Sequence, residues 1–101
     1  MIPIHVDEIA FFQVEKNGTE LYTKQNTKYI IHDTLDHLES NLDPKLFFRA
    51  NRQFLVAYPA IKHIEHEDDR KLLVKLNIPF AYPIVISKAK ATQFLKWVEE
   101  R

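Results

Sequence analysis

Residues 47–56 read Phe47-Phe48-Arg49-Ala50-Asn51-Arg52-Gln53-Phe54-Leu55-Val56, which places a polar cluster between two apolar segments. The apolar run from Phe54 onward is typical of a β-strand. Arg49, Asn51 and Arg52 therefore lie on the short connection that leads into a strand. Arginine can bond bidentately to guanine edges or phosphates, and asparagine to adenine, so this cluster is a candidate nucleic-acid contact. The alternative is a polar turn whose arginines pair with an acidic helix.

The segments around this stretch have the bulky and β-branched pattern of strands. We predict strands over residues 9–14, 20–24, 27–32, 54–58, 61–65, 71–76 and 82–86, with a polar turn over residues 66–69. Two segments switch to a helical period. The sequence therefore predicts a mainly β domain with one inserted helix and one C-terminal helix.

The inserted helix is predicted over residues 33–42. Leu35, Leu38 and Leu42 share one helical face. Asp33 is the predicted N-cap, and Asp43-Pro44 is the predicted stop.

The C-terminal helix is predicted over residues 88–100, with Ser87 as its N-cap. Its apolar stripe is expected to face the core and consists of Ala91, Phe94, Leu95 and Val98. Trp97 lies off that stripe and is a candidate contact for a partner.

Two more polar clusters are candidate contacts. Lys88 and Lys90 lie in the first turn of the C-terminal helix, where they and the free amides could seat a phosphate, or they are ordinary surface lysines. Asn17-Gly18 is a strong signal for a tight hairpin turn. The hairpin tip could bring Asn17 or Thr19 to a groove, or it could be a simple connection.

Composition indicates one small domain: 101 residues, 46% of them hydrophobic, with no cysteine. No apolar run is long enough for a membrane helix, and we expect no signal peptide. The abrupt start is expected for a fragment of a longer protein or for a stand-alone domain. The absence of cysteine suits a cytoplasmic location.

The net charge is zero, but the charges are segregated along the chain. Residues 33–43 carry four acids and residues 65–69 carry four more, whereas residues 45–64 and 70–98 carry only basic charges. This pattern either gives the fold one basic face or describes ordinary solvated surfaces.

The sequence contains no pattern that predicts an enzyme, a metal site or a cofactor. It has no cysteine and no Gly-x-Ser-x-Gly or glycine-rich phosphate motif. His63 and His66 are separated by two residues, a spacing that does not place both on one face of a strand. The acids beside them lie in an exposed turn. We therefore expect a binding domain and not a catalyst.

Several motifs together resemble the LytTR family of DNA-binding domains. The resemblance spans residues 7–98 and rests on Asp7-Glu8-Ile9-Ala10-Phe11-Phe12, on Thr34-Leu35-Asp36-His37-Leu38-Glu39, on the run from Asp43 to Val56, on Ala60-Ile61-Lys62-His63-Ile64, and on Val85-Ile86-Ser87-Lys88-Ala89-Lys90-Ala91. It implies an elongated antiparallel β fold with one short inserted helix and a C-terminal helix. It also implies DNA binding through loops.

By position, the resemblance assigns base contacts to Thr19, Asn51, Arg52 and Lys88, and phosphate contacts to Arg49, Gln53 and Lys90. It implies an output domain of a two-component response regulator, with a receiver domain on its N-terminal side. Double-stranded DNA with repeated sites is the expected partner, bound by a dimer.

Three positions depart from the common pattern of the family. Asn51 stands where histidine is frequent, Ala57 where asparagine is frequent, and Lys88 where arginine is usual. Lysine cannot make the bidentate fork of arginine. A protein-interaction module with weakened or lost DNA binding is therefore the second hypothesis.

Overall fold

The computed structural model describes residues 4–16, 18–79 and 83–101, which form two antiparallel sheets and two α-helices. The strands are β1 (Ile9–Glu15), β2 (Gly18–Thr23), β3 (Lys28–Ile31), β4 (Phe47–Arg49), β5 (Phe54–Ala57), β6 (Ile61–His66), β7 (Leu72–Leu76) and β8 (Ile84–Ile86). The helices are α1 (Leu35–Asn41) and α2 (Lys88–Glu99), and 3₁₀ turns span Val6–Glu8, Tyr58–Ala60 and Asp68–Arg70.

The larger sheet has the order β3-β2-β1-β5-β4, and the smaller sheet has the order β6-β7-β8. The principal extents of 42 × 26 × 23 Å make the molecule elongated. The predicted mainly β, elongated antiparallel fold with one short inserted helix and a C-terminal helix is confirmed. None of the described helices has both the length and the apolar character needed to cross a membrane.

Strand β5 is the centre of the core because both of its faces are covered. Phe54 and Val56 pack into one apolar cluster with residues of the small sheet and of α2. Leu55 and Ala57 point the other way, into a second cluster that includes Leu35 of α1. The alternation of side chains along a strand thus separates two cores on opposite sides of one sheet.

Strand β4 was not predicted, because three residues are too few to show a strand pattern. It forms through pairing, with Phe48 opposite Val56 and Arg49 opposite Leu55. The polar stretch of residues 50–53 is therefore the loop of a β-hairpin.

The predicted cap of α1 is wrong by one residue. The Thr34 hydroxyl accepts a hydrogen bond from the His37 amide at 3.1 Å, so Thr34 is the N-cap. Asp33 lies one residue too early to reach that amide, and its carboxylate accepts from the Thr34 amide at 2.9 Å. The helix ends at Asn41 with Leu42 as its C-cap, before Asp43-Pro44 as predicted.

The β1–β2 hairpin is present, with Glu15 paired to Gly18. Asn17, which we predicted to form the turn with Gly18, lies outside the described residues. Gly18 is the first residue of β2 and has a φ of 127°, a conformation that favours glycine.

Helix α2 packs through the predicted stripe, with Phe94 fully buried and its apolar neighbours partly buried. Trp97, a candidate partner contact by sequence, is partly buried against the core. Its ring lies 5.2 Å from that of Phe48, and its Nε1 donates to the Pro44 carbonyl at 2.8 Å. The part of α2 that carries Trp97 also packs against the core, because an apolar helical face is wider than one stripe.

Candidate nucleic-acid interface

Three connections meet at one end of the molecule. The Val14 amide donates to the Gln53 carbonyl at 2.9 Å, which joins the end of β1 to the turn of residues 50–53. The Asn51 Nδ2 donates to the Val85 carbonyl at 2.9 Å, which joins the same turn to β8 just before α2 begins. We call the β1–β2 connection, the turn of residues 50–53 and residues 87–90 the three-loop end.

Asn51 shapes the turn from within. Its Oδ1 accepts from the amides of Gln53 at 2.8 Å and Phe54 at 3.1 Å, an arrangement in which asparagine stabilises a tight turn. Because its Nδ2 is bonded to β8, both ends of its amide group have partners within the protein. Asn51 thus links the turn of the large sheet to β8 of the small sheet. A contact with a base would have to displace these hydrogen bonds.

Arg49 is enclosed by partners, with only 15% of its side chain exposed. Its Nε donates to the Asn51 carbonyl at 2.8 Å and its Nη2 to the Arg52 carbonyl at 3.1 Å. Its Nη1 lies 2.8 Å from the Asp36 carboxylate and 3.2 Å from that of Glu39. The alternative considered from the sequence, an arginine paired with the acidic helix, is correct for this residue.

Lys90 also points into the protein, where its Nζ donates to the Arg49 carbonyl at 2.9 Å. Lys88, the other lysine of the predicted phosphate seat, is exposed at the first position of α2. Ser87 occupies the predicted N-cap position, but its side chain makes no capping hydrogen bond.

Thr19 is enclosed in β2 with 3% exposure. Its hydroxyl donates to the Asp33 carbonyl at 2.6 Å, so it ties the hairpin to the approach to α1. The hairpin lies beside the turn of residues 50–53, but this hydroxyl does not face outward.

Arg52, Gln53 and Lys88 are the predicted site residues whose side chains are exposed. None of these side chains makes a hydrogen bond or an ion pair with another described residue. Arg52 and Ser87 line one shallow depression together with Asp36 and Glu39, so the turn, the start of α2 and the acids of α1 lie side by side.

Negative charge approaches the three-loop end from two sides. Asp36 and Glu39 of α1 lie against Arg49, and the Asp68–Arg70 turn contacts α2. Asp33 is ionised more readily than usual, since the hydrogen bond from His37 lowers the pKa of its carboxyl. The run of acids over residues 33–43 signalled this, but the sequence did not show that α1 would lie beside the turn.

Among the described residues, no three His, Asp or Glu side chains are grouped in a way that could hold a metal ion. His63 instead lies 2.9 Å from the Glu65 carboxylate, a contact that lowers the pKa of Glu65.

A model of the LytTr DNA-binding domain family matches residues 1–99. The fold is similar to a solved structure, the "LytTr DNA-binding domain of putative methyl-accepting/DNA response regulator from Bacillus cereus", with a TM-score of 0.84 and 20% sequence identity. That similarity covers 96% of this chain and 86% of the Bacillus cereus chain. No curated protein sequence matches the chain. The family match, which extends over nearly every residue, shows that this chain belongs to the LytTr DNA-binding domain family.

Proposed function

We propose that the chain binds double-stranded DNA with sequence preference through its three-loop end. The observation that carries the proposal is the exposed position of the Arg52 side chain on a hydrogen-bonded turn. Its side chain is exposed at a turn whose carbonyls and amides are already bonded within the protein. A rigid turn that carries a free guanidinium loses little entropy on binding, which favours a defined contact.

The three exposed side chains suit different parts of a DNA groove. Arg52 can bond bidentately to a guanine edge, and Gln53 can pair with adenine or donate to a phosphate. Lys88 supplies a point charge at a helix N-terminus, a suitable position for a phosphate. We assign Arg52 to base recognition and Lys88 to the DNA backbone.

We further propose that the domain is the output part of a cytoplasmic two-component response regulator that controls transcription. A receiver domain on its N-terminal side would be phosphorylated and would pair two copies on a repeated DNA site. Family membership supports this, as does the similar fold of a domain whose description names a response regulator.

Selection from a random duplex library at low salt tests the proposal. We expect one enriched motif, and fluorescence anisotropy should show tighter binding to it than to random duplex. Arg52→Ala should weaken binding to the motif by about 1–3 kcal/mol, while binding to random duplex changes less. Lys62→Ala is the control, since Lys62 is an exposed lysine of β6. Enrichment of no motif by the folded protein would contradict the proposal.

One observation favours a protein-interaction module as the second candidate. Two of the basic side chains expected to face DNA, Arg49 and Lys90, are bonded within the protein. A folded chain that binds no duplex even at low salt would favour this second function.

A further inference from the structure

We propose that Arg49 and Lys90 are positioning residues for DNA recognition, which hold Arg52 and Lys88 in place and do not themselves contact phosphate. This inference rests on the proposed DNA binding. It assigns the two bonded cations of the three-loop end a different role from the exposed ones.

Arg49 holds the backbone on both sides of the Arg52 Cα. Its guanidinium donates to the carbonyls of Asn51 and Arg52, at 2.8 Å and 3.1 Å. The same group is anchored to α1 through the Asp36 carboxylate at 2.8 Å. The direction in which the Arg52 side chain leaves the turn is therefore set by a bridge that ends on a helix.

The surroundings of Arg49 exclude a simple phosphate contact. Four hydrogen bonds occupy its guanidinium, which has only five N–H donors in all. An approaching phosphate would meet the carboxylates of Asp36 and Glu39, and like charges repel. The favourable arrangement is the one already present, in which a largely buried charge is fully paired.

Lys90 links the second DNA-facing element to the same bridge. Its Nζ donates to the Arg49 carbonyl at 2.9 Å, across 41 positions in the sequence. Lys88 lies two residues earlier on α2, so the bond holds the start of α2 against the turn. Arg52 and Lys88 are thus kept at a set distance from each other.

This arrangement predicts which aspect of DNA binding depends on Arg49. A bidentate contact with a base requires accurate placement, whereas attraction to the phosphate backbone requires only charge. Loss of the bridge should therefore reduce discrimination between sequences and leave the salt dependence of binding unchanged.

The test measures both properties in the same variants. Binding of the selected and the random duplex is recorded by anisotropy over a salt series for the unchanged chain, Arg49→Gln, Arg49→Lys and Lys88→Gln. Lys62→Gln is the matched control for loss of one charge. The register of the small sheet places Ile61 opposite Leu76 and Ile86 opposite Leu72, so Lys62 lies at the opposite end of that sheet from Ser87.

We expect Arg49→Gln and Arg49→Lys to reduce the ratio of specific to random affinity by about tenfold or more, since a bidentate contact contributes that much. Their salt slopes should equal that of the unchanged chain. Lys88→Gln should make the salt slope less steep by about one and weaken binding to both duplexes alike. Suppose that Arg49→Gln makes the salt slope less steep by one without changing the ratio of specific to random affinity, and that Arg49→Lys restores the slope. Arg49 then contacts phosphate and the inference is wrong.

A second variant keeps the inference testable if Arg49 is needed for folding. Lys90→Met retains the apolar stem and removes the ammonium group, and with it the bond to the Arg49 carbonyl. It should reduce the specificity ratio and speed hydrogen exchange at the Gln53 amide in the free protein. No change in either quantity would overturn the inference. If the unchanged chain shows no preferred duplex, it is the proposed DNA recognition that fails, and hydrogen exchange still reports whether the bridge holds the turn.

Discussion

Arg49 and Arg52 are three residues apart, but their guanidinium groups have opposite surroundings. Arg49 belongs to β4, where it leaves the sheet on the same side as Phe47 and meets the acids of α1. Arg52 follows the end of that strand and points away from the protein. Because the two side chains are chemically identical, the difference arises from their backbone positions, one in a strand and the other in a turn.

Thr19 illustrates a polar residue that supports the three-loop end from inside. Thr19→Val keeps the shape and leaves the Asp33 carbonyl without its donor at 2.6 Å. We expect the free energy of unfolding to fall by about 1–2 kcal/mol, as for other buried acceptors that lose a partner. Chemical denaturation should show this, while Thr92→Val on the exposed face of α2 should have a small effect. Altered DNA preference at unchanged stability would show instead that Thr19 reaches the DNA.

Asp33 makes stability depend on pH at the approach to α1. The hydrogen bond from His37 holds the pKa of this carboxyl below its usual range. Since the folded-state pKa is the lower one, the ionised carboxyl stabilises the fold fully above its unfolded pKa, and this contribution is lost as pH falls through the folded pKa. Carboxyl ¹³C shifts should report the low value, and His37→Ala should raise it. A titration unmoved by His37→Ala would contradict this assignment.

The sequence predicted three polar connections that the structure brings together, but not the orientation of their side chains. Residue type alone made Arg49, Asn51 and Arg52 equivalent candidates. Which of them is free depends on the unpredicted strand β4 and on the approach of α1 and β8, which lie far along the chain. Long-range contacts of this kind leave no local pattern.

The two helices differ in how their first turns are stabilised. Thr34 caps α1 through a hydrogen bond, whereas the side chain of Ser87 makes none at the start of α2. We expect Thr34→Ala to lower the free energy of unfolding by about 1 kcal/mol and Ser87→Ala by only a few tenths. Denaturation of both variants measures the difference. Equal losses would contradict the assignment of Thr34 as the functional cap.

At the scale of elements, the period of the apolar residues was sufficient for the helices and the longer strands. Ends shifted by one or two residues, as at β2, which was predicted from Glu20 and begins at Gly18. At β8 the described strand begins at Ile84, and Tyr82 lies outside the described residues. Strand β4 and the 3₁₀ turns were missed because three-residue elements depend on pairing or on a single turn. The cap of α1 was missed because Asp33 and Thr34 are both good capping residues by type.

The whole molecule places its two cores on opposite faces of one sheet and brings together the three loops that we propose to face DNA. The apolar clusters on either side of β5 hold α1 and α2 close to the hairpin loop of residues 50–53. The three-loop end comprises only short connections, so it is a small contact surface. A small surface with few free cations limits how much of the affinity comes from phosphate contacts.

The salt dependence of DNA binding follows from that count of free cations. In the described part of the three-loop end, Lys16, Arg52 and Lys88 are exposed, whereas Arg49 and Lys90 are bonded within the protein. Each neutralised phosphate contributes about −0.9 to the slope of log K against log salt, so one copy should show about −2 to −3. Participation of all five cations would give about −4 to −5.

Anisotropy with a single half-site duplex measures the slope for one copy, and a titration by sedimentation confirms that only one is bound. A slope near −4 or steeper would mean that Arg49 and Lys90 leave their partners when DNA binds, so that DNA competes with Asp36 and Glu39 for the turn.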